Sequence, residues 1–217
     1  MAVIHHTTLK PTKLELLTDW LPTRPWYVGG DAPVLEKSGG FRLDDPEGEV
    51  GIEFMVTTDT SSPERTAYLA PLTYRGAPLE GAEHALVGTT EHGVLGKRWV
   101  YDGCHDPVLV AELLSLIDGR AQAMAQSVTD TPDREVTRSC TGAPLVPGTS
   151  VPEPADDEDG TRLPAGHGLV LRIHRVLRPV AENPPLPPQG ALGHLATGWQ
   201  GPDDTRLRAV LMTLHSA

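Results

Sequence analysis

Few of the residues that announce a mechanism are present. The 217-residue chain has two cysteines, two phenylalanines and a single asparagine, Asn183. Two cysteines cannot staple a chain of this size, so a disulfide scaffold is excluded and a reducing compartment is expected. No run approaches the ~20 apolar residues of a membrane-spanning helix, and the first residues lack the apolar core of a signal peptide. The expectation is a cytoplasmic protein with no membrane partner. Lysine and arginine together number 18 against 29 acids, a formal net charge of −11. Such a surface repels nucleic acid and anionic lipid, and neither is expected to bind. The acid excess is uneven: 18 acids face 10 basic residues over 1–129, whereas 161–217 holds three acids and six arginines. The last segment is therefore suited to pair electrostatically with the first. Scarce asparagine and lysine beside abundant alanine, glycine and proline fit coding from a GC-rich genome.

Motifs for bound groups are missing too. His5–His6 has no partner at HxH or HExxH spacing, and a tetrahedral metal site needs three or four ligands placed by the fold. Gly88–Lys97, GTTEHGVLGK, ends in Gly-Lys but has Glu91 where a phosphate loop needs its first glycine, and no Ser or Thr follows Lys97. No Gly-x-Gly-x-x-Gly run opens a helix. No cofactor and no resident metal are expected.

What is present is periodicity. Trp99–Val100–Tyr101 reads as a strand, Asp102–Gly103 as a turn, and Asp106–Pro107 as a helix cap with proline at the first position. Leu109, Leu113 and Leu116 recur at helical spacing until Gly119 closes the helix. Thr12 and Glu15 form a capping-box pattern for a helix from Lys13 to Trp20, ended by Pro22. Val50–Thr57 alternates, with Val50, Ile52, Phe54 and Val56 on one face. Thr66–Arg75 answers it across a turn, and Pro71 within it suggests an edge or a bulge. Ala85–Thr89 and Val94–Tyr101 supply further short strands. From Ser127 to Gly166 the pattern collapses into prolines and the acidic run Glu153–Asp159, which reads as a mobile surface connector. Order returns at Gly168–Leu177. After the proline-rich loop 182–190, His194–Trp199 and Thr205–His215 form a final hairpin with Leu207, Ala209 and Leu211 facing inward.

Two stretches invite a functional reading. Cys104–His105–Asp106 holds the residue types of a thiol-dependent catalytic site. Successive side chains point in different directions, however, and Asp106 is already occupied as the cap. A minimal enzyme using Cys104 and His105 is therefore an alternative rather than the main reading. The second stretch is Trp20–Tyr27, where three of the chain's ten aromatic residues flank Arg24 between prolines. Rigid aromatics with arginine either plug one end of a sheet or anchor a partner.

The segments LELLTDWLPTRPWYVGG (14–30), GIEFMVTTDTSSPERTAYLAPLTYRGAPL (51–79) and VYDGCHDPVLVAELLSLI (100–117) together resemble the N-terminal cap domain of actinobacterial maltokinases. The shared pattern is an early helix running into a Trp-Leu-Pro-x-Arg element. A hairpin ending Tyr-x-x-Pro-Leu follows, then a Tyr-Asp-Gly-x-His-Asp-Pro turn into a helix. LVLRIHRVLRP (169–179) is similar to the first strand of the family's small kinase lobe, and Arg172 stands near the place of its nucleotide-contacting lysine.

The resemblance implies an α+β fold: a curved antiparallel sheet packed on one main helix plus a short N-terminal helix, a cystatin-like cap, followed by a second small antiparallel β segment. It implies a cap-like domain over 1–126, a Pro/acid-rich connector over 127–166, and a β-rich remnant of a kinase lobe over 167–217. In the full enzymes the cap precedes an ATP-dependent lobe that phosphorylates maltose. Here no His-x-Asp loop and no Asp-Phe-Gly-type motif is found, so the phosphoryl-transfer parts cannot be located. The expected function is a non-catalytic, regulatory or scaffolding partner of a protein in α-glucan or trehalose metabolism. The alternative is a module that binds a nucleotide or an oligosaccharide. The candidate interaction surface is Trp20, Arg24, Trp26, Tyr27, Tyr101 and His105, and Arg172 is the candidate ligand contact.

Overall fold

The alternating apolar pattern of 50–57 dictates a strand with two distinct faces, and the fold buries both of them. In the computed structural model, residues 9–126, 131–141, 145, 153–181 and 188–217 are described. His5–His6 and most of the 182–190 loop lie outside them. In chain order the elements are β1 (Leu9–Lys10), α1 (Lys13–Trp20), β2 (Leu35–Leu43), β3 (Gly51–Asp59), β4 (Thr66–Arg75), β5 (Leu86–His92), β6 (Gly96–Asp102) and α2 (Pro107–Asp118). There follow β7 (Met124–Ala125), β8 (Thr137–Cys140), β9 (Ala155–Asp157), β10 (Gly160–Gly166), β11 (Leu169–His174), β12 (Val176–Leu177), β13 (Gly193–Gln200) and β14 (Arg206–Ser216).

The expected α+β arrangement is overturned. The strands join into one 14-stranded sheet in the order β1-β5-β6-β4-β3-β2-β13-β14-β11-β10-β9, with β12 on β4, β7 on β2 and β8 on β13. Every pairing is antiparallel. The two α-helices, of 8 and 12 residues, are minor elements beside it. There is no sheet-on-one-helix cap, and the C-terminal strands are not a separate small β segment. The reason is visible in the core. The face of β2, β3 and β4 that carries Phe41, Phe54 and Leu69 shares one hydrophobic cluster with α2 and with Leu171, Leu195, Leu211 and Leu214 of the later strands. Strands do most of the covering that a helical layer was expected to do.

The sheet also curls back on itself. β12 follows β11 directly and pairs with β4 through Val176–Tyr68 and Leu177–Ala67. On the opposite side β13 meets β2 at a single pair, Trp199–Gly39. Strands β4, β3, β2, β13, β14 and β11–β12 thus close a ring around the main cluster. The narrow seam favours glycine, because a Cβ on Gly39 would sit 3.1 Å from Trp199 Cβ and Trp199 would have to give way. Inside the ring the chain's two phenylalanines, Phe41 and Phe54, are cross-strand partners stacked at 4.6 Å.

The second face of the sheet carries Met55, Tyr68, Ala70, Leu72 and Val100, and α1 covers it through Leu17 and Trp20. The capping box is formed at the start of α1: Thr12 and Glu15 each accept from the other's backbone N–H. Pro71 lies inside β4, buried on both faces. Its missing N–H has the parity of the Leu69 N–H, which donates to Arg175 O. Pro71 therefore points into the gap between the β12 ladder, which stops at Tyr68, and the β6 ladder, which begins at Leu72. The ladder loses no bond there. No helix among the described residues is long and apolar enough to cross a membrane.

Candidate functional site

Where β2 and β13 part beyond Gly39–Trp199, the mouth of the ring stays open. A groove of about 560 Å³ lies there. One wall is β2 and the β3–β4 hairpin, with Lys37, Thr58 and Arg65; the other is Arg178 and Pro179 after β12, and the β13–β14 turn with Gln200. Val176, Leu177 and Leu207 give it an apolar floor. Ser38 and Thr58 share a hydroxyl–hydroxyl hydrogen bond of 2.6 Å on its wall. Burial pushes the Lys37 ammonium pKa down, Glu53 opposes this, and Lys13 adds to it. Glu36 and Glu64 also line the groove, so it offers both signs of charge, hydroxyl groups and an apolar base. Such a mixture of groups can contact a polar ligand with an apolar face.

A second polar centre is buried where the end of β6 meets the break between β11 and β12. Asp102, at the end of β6, accepts two hydrogen bonds from Arg175 Nη2, at 2.8 and 2.6 Å. Both side chains are almost wholly enclosed, at 0% and 3% exposure for Arg175 and Asp102. Arg175 Nε donates to Thr161 Oγ1 of β10 at 2.7 Å, and Thr161 donates to Asp156 Oδ1 at 2.6 Å. Arg175 Nη1 has no hydrogen-bond partner. The guanidinium lies over the Trp26 ring, 5.1 Å from its centre, which offsets part of that loss. Burial alone would raise the Asp102 pKa, but the guanidinium beside it outweighs burial and holds it below the usual carboxylate range.

The Cys104–His105–Asp106 corner is resolved by this centre. Cys104 is buried, and Arg175 Nη2 stands 3.2 Å from its sulfur. Burial pushes the thiol well above its ordinary pKa; Arg175 opposes the rise and Asp102 adds to it. The thiolate that nucleophilic chemistry needs is therefore suppressed. His105 Nδ1 faces His84 Nε2 at 3.1 Å, and Cys104 is not its partner in this bond. Asp106 caps α2 by accepting from Val108 N at 3.0 Å, and it receives Arg75 through two bonds of 2.7 Å.

The other residues singled out by sequence fall in different places. Trp20, Trp26 and Tyr101 are core side chains with 6%, 0% and 2% exposure, so they offer no face to a partner. Trp20 and Trp26 meet edge to face at 5.7 Å, and Trp26 and Tyr27 both lean on Tyr68. Arg24 is half-buried over the Trp20 ring, and Tyr27 donates to Asp59 Oδ2 at 2.7 Å. The aromatic element therefore plugs the sheet face under α1. Tyr101 accepts from Leu79 N at 2.9 Å. Arg172 is on β11, bound to Asp157 by both guanidinium nitrogens, 2.6 Å for Nη1, with Asp159 3.7 Å away. Asp157 is held at about 2, chiefly by that hydrogen bond. Arg172 does not line the groove. Sequence reasoning missed Lys37, Thr58, Arg65 and Arg178 because they come from four separated segments; closure of the ring is what brings them together.

The fold and groove define a mainly β, closed-sheet protein with an open groove and a buried ionic centre. Residues 20–106 match the family model of the maltokinase N-terminal cap domain. Over that stretch the chain is similar to a maltokinase cap. No curated protein matches the chain.

Proposed function

We propose that this is a non-catalytic, maltokinase-cap-like protein that works in the cytoplasm as a regulatory or scaffolding partner in α-glucan or trehalose metabolism. The observation that carries the reading is the cap match over 20–106. Two side-chain arrangements support it: Cys104 is enclosed with its pKa raised, and Arg172 is engaged by Asp157. The partner is a protein of that metabolism. The test is affinity purification of the tagged full chain from its source cell, with quantitative mass spectrometry against a tag-only control. Enrichment of a maltokinase or another glucan or trehalose enzyme is the expected result. Its absence from repeated purifications overturns the reading.

The groove favours a second reading, a module for a nucleotide or an oligosaccharide. Calorimetry of the full chain against ATP and against maltodextrins separates the two. Heat with either ligand, lost in Arg178→Ala, places that ligand in the groove; silence with both removes the reading.

A further inference from the structure

We propose that His84 and His105 form an open site for a divalent transition-metal ion that prefers tetragonal nitrogen coordination, of the Ni2+ or Cu2+ kind. The two residues are 21 positions apart in sequence and belong to no spacing motif. Each sits on a short 3-10 turn, Glu83–Ala85 and Gly103–His105. The fold brings His84 Nε2 and His105 Nδ1 to 3.1 Å, with ring centres 4.8 Å apart and planes at 85°. Two imidazoles joined end to end by one straight N–H···N hydrogen bond hold their centres farther apart than this. The hydrogen bond is therefore bent, and a modest ring rotation would turn both nitrogens toward one shared ion.

The separation also suits a shared ion. Imidazole nitrogens bind such ions at ~2.0–2.1 Å, so an ion equidistant from two nitrogens 3.1 Å apart sees them at roughly 95–102°. That angle lies between the right angle of square-planar and octahedral sites and the tetrahedral angle, and imidazole nitrogens bind Ni2+ and Cu2+ most strongly among the divalent ions of this row. Among the described residues no group of three or more His, Cys, Asp or Glu is placed to hold a metal ion. The described residues therefore supply two ligands here, and the remaining positions fall to water or to an incoming group.

The supports are rigid enough for a site. The turn under His84 packs Ala82 and Ala85 against Tyr101, Leu79 and Trp99. The Tyr101 hydroxyl accepts from Leu79 N, which ties this turn to β6. On the other side Asp102 accepts from Cys104 N at 3.1 Å, and Asp106 N donates to Gly103 O at 3.0 Å, fixing the turn that ends in His105. His84 is exposed and His105 half-buried, so the pair is open to solvent.

The test uses the full chain without a histidine tag, stripped with chelator and titrated with Ni2+ by calorimetry, and with Cu2+ by its visible absorption. Wild type is expected to take up one equivalent in the micromolar range, with a rise in melting temperature. His84→Gln and His105→Gln are each expected to weaken that binding roughly tenfold or more. His167→Gln, a change at an exposed histidine elsewhere, is expected to leave it unchanged. Melting of the metal-free variants near the wild-type temperature establishes that they fold. Binding that survives both His84→Gln and His105→Gln, that falls equally in His167→Gln, or that is only millimolar in wild type overturns the proposal.

Discussion

Arg175 is the cation on which the buried charge of Asp102 depends. Removing one member of an enclosed ion pair leaves the other charged and unsolvated, at a cost of about 3–5 kcal/mol. Arg175→Met is expected to lose stability in that range by urea denaturation, because Asp102 loses its counter-charge and Thr161 and Cys104 each lose a hydrogen bond. Asp102 also sets a pH dependence. Its folded pKa is depressed, so its contribution is complete above the unfolded carboxylate value of ~3.9 and is lost as pH falls through the lower folded value. The wild-type urea midpoint is expected to drop on acidification below that value, and Asp102→Asn to show a shallower drop. Cys104 supplies a second check. Iodoacetamide is expected to label Cys140, which is partly exposed, before Cys104, which should react only as the chain unfolds. Arg175 was hard to find by inspection. Alternation along 169–174 turns Arg172 outward, but Arg175 sits at the break between β11 and β12, where a period-two rule gives no direction.

Among the elements, α2 was fully legible and several strands were not. Its cap, its proline at the first position and its left-handed Gly119 (φ 86°) are all local chemistry written in consecutive residues. Five of its side chains are buried, each contributing about 1.5–3 kcal/mol relative to exposure. Asp106 does two things at once, capping the helix and receiving Arg75. Asp106→Ala is therefore expected to cost more than the ~1 kcal/mol typical of a lost cap. Asp106→Asn keeps an oxygen for Val108 N and should cost less; thermal denaturation of the two variants checks the order. By contrast β2 carries Gly39–Gly40 and β8 reads TRSC, so neither shows an apolar alternation. β10 shows only Leu163 and Ala165 as apolar inward positions, with the polar Thr161 buried on the same face. These strands exist because partners pair with them, β13 with β8 and β11 with β10, and no local rule registers such a partner. The stretch from Ser127 to Gly166, which reads as a connector, thus contains three strands among its described residues. The final hairpin was legible as far as Leu211. A bulge opposite Leu195–Ala196 then shifts the inward set to Met212 and Leu214.

At the scale of the whole molecule, one core serves both ends of the chain. Leu69 and Phe54 share a cluster with Leu171, Leu195 and Leu214. A chain cut after residue 126 would expose that face, and we expect it to bind a hydrophobic dye and to melt without a cooperative transition. The full chain is expected to unfold in a single step by circular dichroism, with matching tryptophan fluorescence. The groove follows from the same closure, which explains why no linear motif marked it. Ring closure rests on one residue pair on one side and two on the other, each linking segments more than a hundred positions apart. Contacts so distant in sequence are slow to find. Until residues 169–214 are in place, β2 and β4 each keep a raw, strand-hungry edge. In a crowded cell the race between closing that ring and pairing with a neighbouring chain decides the yield of native protein, and chaperone demand should track it.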